Sequence, residues 1–509
     1  MQRNKKLIMG CLIISVIIGI GIIILLIKPL VLDQAGERES LNQNQGDTNK
    51  IIELNPDIDY SKLNAALEKV PEHYNIRLSK TWATDLKELL DYVDVNKSSM
   101  SQEMVDSYTQ DIEKVLEFIY PLSEVPQLYL KHNEGVITKE YTSISVAVLD
   151  KEGGDFEDII DDTAELKIRG NSSTEVAKKT YTIKFSEKQD VLGMGKAKKW
   201  ALIANAFDKS LMRNKMVFDF AKNIGLEYAP DCTFADLYLN GRYMGNYLIT
   251  EVVEEAATRV DIDSESGDFL IEREYERVDE GTTYFKTPIF GYRFGINEPE
   301  VASDDQLEMI TEFFRKVEQA IQDRDWELFT SYVDERSYID FYITNELFKV
   351  VDIDYSSTRF YIKDGKLYGG PPWDNDLSSG NAEEHFYYDY NYHEGFGPNS
   401  SYLGLWCNKN LYSYCYEFPE FKEALSRRYL ELQNKIVNLY EDNSLGKNQI
   451  DLLIERFGKS FERNFTNTGW GFVNDFILER VPESTFEGNV EYLRDWLKMR
   501  NEYLLTIIG

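Results

Sequence analysis

The chain has 509 residues, 43% of them hydrophobic, and a formal net charge of −32 at pH 7. This composition is typical of a folded protein with more than one domain, not of a disordered chain. The negative charge argues against nucleic acid as a partner, because its phosphates would be repelled.

The amino terminus contains an uncharged apolar run, Leu7–Ile27, which is long enough to cross one bilayer as a helix. Lys5 and Lys6 precede this run and acidic residues follow it, so the positive-inside rule predicts a cytoplasmic amino terminus. The run is also longer than the apolar region of a signal peptide. We therefore expect a single-pass anchor at residues 1–28 and a flexible polar linker at 29–50, with the rest of the chain outside the cytoplasm.

Residues 51–130 repeat their apolar positions at helical spacing, which predicts a helical segment without recognisable chemistry. Strand patterns follow at Ser143–Leu149, Ala164–Ile168 and Lys178–Phe185. A polar Gly-Asn-Ser-Ser turn comes directly after the second of these strands. The fold class expected from the whole pattern is α+β, and beyond residue 130 the strands come first and the helices second.

The turn and the third strand together suggest a phosphate cradle. Backbone N–H groups and small hydroxyls can cover phosphates, and a lysine on the next strand can reach them. In an unbroken strand Lys178 and Lys184 share a face, whereas Lys179 points the other way. A polar turn followed by exposed lysines is the alternative. The candidate nucleotide-binding residues here are Arg169, Ser172, Ser173, Lys178, Lys179 and Lys184.

A helix is predicted next, with Asp208 as its N-cap and Gly225 as its stop. Two alternating runs then flank Asn240-Gly241, which predicts a tight hairpin that ends at Glu251. A further strand ends at Glu272. Either glutamate could pair with a cation of the nucleotide site, bind metal, or lie exposed at a strand end, and Glu251 is retained as a cofactor-binding candidate.

Helical periodicity from Asp304 to Phe348 leads into the most informative stretch of the chain. Two short alternating runs flank Asp364-Gly365, which again predicts a hairpin. Carboxylates lie at its entrance and its exit, where they could face one pocket. Such an arrangement suits Mg²⁺-dependent phosphoryl transfer, in which one carboxylate holds the metal and another orients the attacking hydroxyl. The candidates are Asp352 and Asp354 at the entrance, and Asp374 and Asp376 at the exit.

The stretch from Asn345 to Asn381 resembles the signature of the spore coat protein H (CotH) kinase family, with its Gly-Pro-x-Trp-Asp-x-Asp-Leu motif. The segment from Arg169 through the Lys-Lys-x-Tyr-x-Ile-Lys-Phe run resembles the opening motif of that family. The last helix resembles its terminal motif. The resemblance covers about 141–509.

The resemblance implies an atypical, two-lobed protein kinase fold, with a core at 141–400 and a C-terminal helical part at 401–509. It implies ATP and Mg²⁺ or Mn²⁺ as cofactors and phosphorylation of Ser or Thr on spore-coat or other extracytoplasmic proteins. Asp352 matches the catalytic aspartate, with Asp354 as the base if the register slips by two. Asp374 matches the metal-binding aspartate, and Asp376 would be a second ligand or a supporting acceptor.

Two departures from the family pattern keep a non-catalytic surface or coat-assembly protein as the alternative. Val350 stands where the family has an asparagine, and Ser357 stands where many members have another. Catalytic-loop asparagines help to hold metal in ordinary kinases, so both changes bear on activity.

The acidity of the chain adds an expectation about its partner, a basic, Ser-rich protein substrate. Acidity that serves only solubility is the alternative. The aromatic, acidic insert at 383–393 is predicted to form a lip facing the substrate. Cys407 and Cys415 could pair outside the cell, although the sequence does not show that they do.

Overall fold

The structure is a computed structural model that describes residues 54–70, 83–116, 124–132, 135–151, 153–274, 281–353, 356–382, 414–473 and 479–509. Its elements are a mixture of helices and sheets, so the predicted α+β class is confirmed. No helix in these ranges is long and apolar enough to cross a membrane. The predicted anchor, Leu7–Ile27, lies outside them.

The chain divides into two units. The first comprises Met1–Asp59 and Asn96–Ser101, and the second comprises Tyr60–Val95 and Gln102–Gly509. The described part of the first unit contains a turn closed by the Ile58 N–H on the Asn55 carbonyl, 3.2 Å, and a short 3-10 helix. All the sheets belong to the second unit.

Seven strands of the second unit form a closed barrel in the order β1-β2-β3-β4-β5-β7-β6. All the neighbouring pairs are antiparallel except β1 and β6, whose parallel pairing closes the barrel. The strands are β1 Gln127–Lys131, β2 Thr142–Leu149, β3 Ile159–Ile168, β4 Tyr181–Asp190, β5 Lys196–Ile203, β6 Cys232–Leu239 and β7 Arg242–Glu251.

A separate five-stranded antiparallel sheet has the order β12-β11-β8-β10-β9. The predicted carboxylate hairpin forms one edge of this sheet, and its neighbour is the strand that contains Glu272. The strands are β8 Phe269–Arg273, β9 Thr283–Lys286, β10 Arg293–Glu298, β11 Thr358–Lys363 and β12 Lys366–Gly369.

Helices flank the sheets, and most lie where the periodicity of the sequence predicts them. They are α1 Ser61–Glu68, α2 Ala83–Asn96, α3 Gln102–Leu116, α4 Arg213–Ile224, α5 Asp304–Gln322, α6 Trp326–Tyr332, α7 Glu335–Phe348, α8 Pro419–Glu431, α9 Gln433–Val437, α10 Gln449–Thr466 and α11 Phe486–Ile507. One apolar core fills the barrel, and a larger one joins the second sheet to α4, α5, α7 and the C-terminal helices.

Both predicted two-residue hairpins are confirmed. Asn240-Gly241 joins β6 to β7, and Asp364-Gly365 joins β11 to β12. All four of these turn residues have φ between 49° and 79°. Such positive φ values match the right-handed twist of the flanking strands, which explains why the Asn-Gly and Asp-Gly pairs are reliable signals.

Three expectations about local structure were wrong. The third predicted strand begins at Tyr181, so Lys178 and Lys179 precede β4 and do not share its alternation. The segment predicted to be helical as far as residue 130 ends in strand β1, which is defined by pairing with distant strands and not by its own period. Asp208 is not the N-cap of α4, although its carboxylate accepts the first helical N–H, that of Arg213, at 2.8 Å.

Candidate active site

The Asp352 turn follows directly from the end of α7. Lys349 adopts a left-handed conformation, φ 48°, and ends the helix. The chain then turns, so that the carbonyl of Asp352 accepts the Ser356 N–H at 3.1 Å and the Thr358 hydroxyl at 3.3 Å. These bonds fix the half-buried Asp352 just before β11.

Asp374 lies beyond the other end of the hairpin, after β12. Its φ is +60°, a left-handed conformation that a residue other than glycine adopts at some cost and that is often found at functional sites. Solvent reaches the side chain, yet protein surrounds it closely enough that desolvation raises the pKa of its carboxyl. Arg169 and Arg359 oppose this effect. Asp374 is therefore a solvent-accessible acidic group whose ionisation depends on the two neighbouring arginines.

The structure places Asp352, Asp374 and Asp376 close enough together for their charges to affect one another. Burial, then Asp374, then Glu274 raise the pKa of Asp352 to about 7. Burial and the neighbouring carboxylates, Asp374 first among them, raise the pKa of Asp376 well above its usual value. Mutual repulsion of this kind disfavours the charged forms until a cation arrives.

Residues Asn375–Asn381 are held by the start of α4. The Arg213 guanidinium donates to the carbonyls of Ser378, 2.9 Å, and Ser379, 3.2 Å, and pairs with Asp208 at 2.5 Å. The Asn381 amide donates to the Asp376 carbonyl at 2.7 Å. Oδ1 of the buried Asn214 accepts the Asn375 N–H at 2.8 Å, so Arg213 and Asn214 support the loop that carries Asp376 from beneath.

Ser357, which precedes β11, contacts Asp374 beyond β12, and Glu272 holds Ser357 in place. The Ser357 hydroxyl donates to Oδ2 of Asp374 at 3.3 Å, and its N–H donates to Oε1 of Glu272 at 3.0 Å. Glu272 also accepts Nη2 of Arg359 at 3.0 Å, from the position directly opposite on β11. Glu272 thus belongs to the site as a positioning group for Arg359 and Ser357.

Two arginines share the ring of Trp373. The guanidinium carbon of Arg169 lies 4.8 Å from the ring centroid, and that of Arg359 lies 5.1 Å from it. The Nη1 atom of each arginine is buried and has no hydrogen-bond partner. Burial, then Arg359, lower the pKa of Arg169 to about 10. Neither Arg359 nor Trp373 was a candidate site residue from the sequence. The pairing of Arg359 with Glu272 follows from the register of β11 against β8, which the sequence does not show.

The three candidate lysines occupy three different environments. Lys178 is buried, and its ammonium group donates to the carbonyls of Ala204 and Asn246, 2.7 Å each, and to Oδ1 of Asn464 at 2.8 Å. Lys179 donates to the Thr174 carbonyl at 2.7 Å. Lys184 pairs with Glu165 at 2.8 Å. Which of them contacts a nucleotide stays a prediction.

The remaining candidates are placed as follows. Ser172 and Ser173 form a short 3-10 turn after Gly170, and the Ser173 hydroxyl lies 3.5 Å from the Arg169 carbonyl. The Glu251 carboxylate accepts the Asp231 N–H at 2.8 Å, in a cavity of about 80 Å³ that Lys222 and Arg259 also line. None of the described contacts of Glu251 reaches Asp352, Asp374 or Asp376. Asp354, Cys407 and the 383–393 insert lie outside the described residues.

The residues present fit a divalent cation bound together with phosphates. Among the described residues, no group of three or more His, Cys, Asp or Glu side chains is arranged as a metal cage. Mg²⁺, however, is commonly held by one or two carboxylates plus the phosphates of a substrate. Asp374 and Asp376 supply the carboxylates, and the unpaired guanidinium nitrogens supply donors for an anion.

Comparison with known proteins identifies one family. The family model described as CotH kinase protein matches residues 166–504. This range contains the barrel strands from β4 to β7, the second sheet, the helices from α4 to α10 and most of α11. A search of curated proteins found no match.

Proposed function

Because the chain belongs to the CotH kinase family, we propose that it is an ATP-dependent protein kinase that uses Mg²⁺ or Mn²⁺ and phosphorylates Ser or Thr hydroxyls. The observation that carries the proposal is the convergence of Asp352, Asp374 and Asp376 beside two arginines with unpaired donors. A carboxylate cluster alone would repel a nucleotide. A cluster next to fixed guanidinium groups can hold a metal and phosphates at once.

Asp374 and Asp376 would hold the cation, which when bound neutralises charge on the phosphates. Asp352 would orient the acceptor hydroxyl and take up its proton. The new O–P bond would form as the bond between the γ-phosphorus and the leaving ADP breaks. A carboxyl whose pKa is about 7 can accept a proton near neutral pH. Arg169 and one of the candidate lysines would neutralise the phosphates.

The contacts of Ser357 favour this function over the non-catalytic alternative. Val350 is buried in the apolar core and offers no ligand, which supports the alternative. Ser357, however, donates to Asp374, so a polar side chain still reaches the exit carboxylate from the position of the second family asparagine.

We also propose that the substrates are extracytoplasmic or spore-coat proteins with basic, Ser-rich surfaces. The family name supports the coat as a location, and the net charge of −32 supports a basic partner. The anchor at residues 1–28 would keep the kinase at the cell membrane with its site outside.

The test is transfer of labelled phosphate from ATP by the full-length chain, with Mn²⁺ or Mg²⁺ and a basic Ser-containing protein as acceptor. The wild type should label the acceptor, and Asp374→Asn should lower labelling at least about 100-fold while leaving the melting temperature without nucleotide unchanged. Asp364→Asn is the matched control, because it alters an exposed acid in the turn of the same hairpin. Labelling by Asp374→Asn at the wild-type level would refute the proposal.

The register of the entrance carboxylates is tested in the same assay. Asp352→Asn should be inactive and Asp354→Asn active. The reverse result would assign the base to Asp354 and leave the kinase function standing.

A further inference from the structure

We infer that Arg169 and Arg359, held side by side on the ring of Trp373, form the phosphate-binding clamp of this site. The inference rests on the proposed function and adds to it a residue, Arg359, and a platform, Trp373. It also assigns the main cationic contact with phosphate to guanidinium groups, and not to one of the candidate lysines.

The geometry of the clamp is set from three directions. Trp373 stacks on Phe218 with ring centroids 5.9 Å apart, and that contact fixes the indole plane. Both guanidinium carbons lie within about 6 Å of the same ring, where the negative face of the ring attracts them. The Glu272 carboxylate holds one edge of Arg359 at 3.0 Å and leaves its Nη1 free to bind another group.

The unpaired donors need an anion. Among the described residues, no oxygen accepts a hydrogen bond from the Arg169 guanidinium, and only Glu272 accepts one from the Arg359 side chain. Buried donors without acceptors are rare, because each loses its hydration without compensation. A phosphate offers several charged acceptors, which two planar guanidinium groups can bind together.

The local charges favour the same conclusion. Asp374 is the largest negative influence on Arg169. If Asp374 held a cation, its charge would no longer offset that arginine, and the two guanidinium groups would be left with less negative charge beside them. A phosphate bound at the clamp would supply that negative charge.

Lys178 does not serve this role in the structure. Its three acceptors are two carbonyls and an amide oxygen, and the identity of that oxygen is fixed because Oδ1 of Asn464 also accepts the Asn246 N–H at 3.1 Å. All three ammonium hydrogens are therefore committed to the protein. Lys179 and Lys184 are each held by one oxygen outside the clamp.

The test measures binding, not turnover. Dissociation constants of the full-length chain for ATP, with Mn²⁺, and for adenosine are compared in the wild type, Arg359→Lys and Arg169→Lys. Each variant should bind ATP roughly 10- to 100-fold more weakly than the wild type, because charge-assisted hydrogen bonds to phosphate are lost. The dissociation constant for adenosine, which has no phosphate, should stay the same. Arg169→Lys removes no side-chain hydrogen bond to any described residue, so this variant keeps the test valid if Arg359→Lys fails to fold.

Arg259→Lys is the matched control. Arg259 also stacks on a tryptophan, Trp200 at 5.0 Å, and pairs with a glutamate, Glu254 at 2.5 Å, but none of its described contacts involves Arg169, Arg359 or Trp373. Its ATP affinity should equal that of the wild type. Undiminished ATP affinity in Arg169→Lys would overturn the clamp and leave the kinase proposal intact. A wild type that binds neither ATP nor adenosine would instead refute the proposed function.

Discussion

The hydroxyl of Ser357 donates a hydrogen bond to Oδ2 of Asp374 across a distance of 3.3 Å. Both residues have left-handed backbones, φ 56° and φ 60°, and they lie at opposite ends of the β11–β12 hairpin. The bond therefore joins the entrance of the hairpin to its exit. It gives Ser357 a role in orienting the carboxylate that we propose to hold the metal.

Substitutions at Ser357 should separate the effect of this bond from that of the backbone. Ser357→Ala should lower phosphate transfer by roughly tenfold, because one hydrogen bond to a charged group is lost. Ser357→Asn should retain transfer and raise the melting temperature slightly, because asparagine tolerates the left-handed conformation better than serine does. Initial rates and thermal unfolding are the measurements. Equal activity in the alanine variant and the wild type would show that Asp374 does not depend on this contact.

Lys178→Met should lower the stability of the folded protein. The lysine connects the region before β4 to β7 and α10, and the substitution leaves three buried oxygens short of a donor. We expect the free energy of unfolding in urea to fall by about 3 kcal/mol. Lys184→Met, whose side chain is 39% exposed, should leave the free energy of unfolding nearly unchanged, because exposed ion pairs contribute little. A stable Lys178→Met variant that has lost ATP binding would instead make Lys178 a phosphate ligand.

The raised pKa of Glu251 should make the free energy of unfolding depend on pH. Burial raises the pKa of its carboxyl from 4.5 to about 7. The folded state therefore holds more protons than the unfolded state between these values, and stability falls as pH rises through this window. Below about pH 4.5 the group is protonated in both states and contributes nothing.

Glu251→Gln should remove this penalty, since the amide resembles the protonated carboxyl and its oxygen can still accept the Asp231 N–H. Relative to the wild type, the variant should gain about 2–3 kcal/mol of unfolding free energy between pH 4.5 and pH 8. Urea unfolding at both pH values gives the difference. The exposed Glu423→Gln is the control and should show no such gain. A difference that does not vary with pH would mean that Glu251 ionises normally.

The acidity of the chain predicts a substrate preference that weakens with salt. Two Ser-containing peptides, one rich in Lys and Arg and one rich in Glu, should be phosphorylated at different rates, with the basic peptide faster. Steering acts over a Debye length of about 8–10 Å at physiological salt, so the ratio should approach one as salt rises. Equal rates at low salt would leave the acidity as a solubility feature only.

The sequence by itself predicted the features that depend on neighbouring residues. Asn240-Gly241 and Asp364-Gly365 specify their hairpins because few residue pairs tolerate two positive φ values. The apolar period placed α5 and α7, and the hairpin brought Asp352 and Asp374 together because its two-residue loop returns the chain to its starting point. The α+β class follows from the same local patterns.

Only the tertiary structure decided the features that depend on residues far apart in the chain. Lys178 looked like a strand lysine, but its partners lie 26, 68 and 286 residues away, so no local pattern could show that its hydrogens are committed. Arg359 was not a candidate until the register of β11 against β8 placed it opposite Glu272, 87 residues earlier in the chain. The physical reason is that turn chemistry acts over a few bonds, whereas burial, strand register and charge pairing depend on which distant surfaces the folded chain brings into contact.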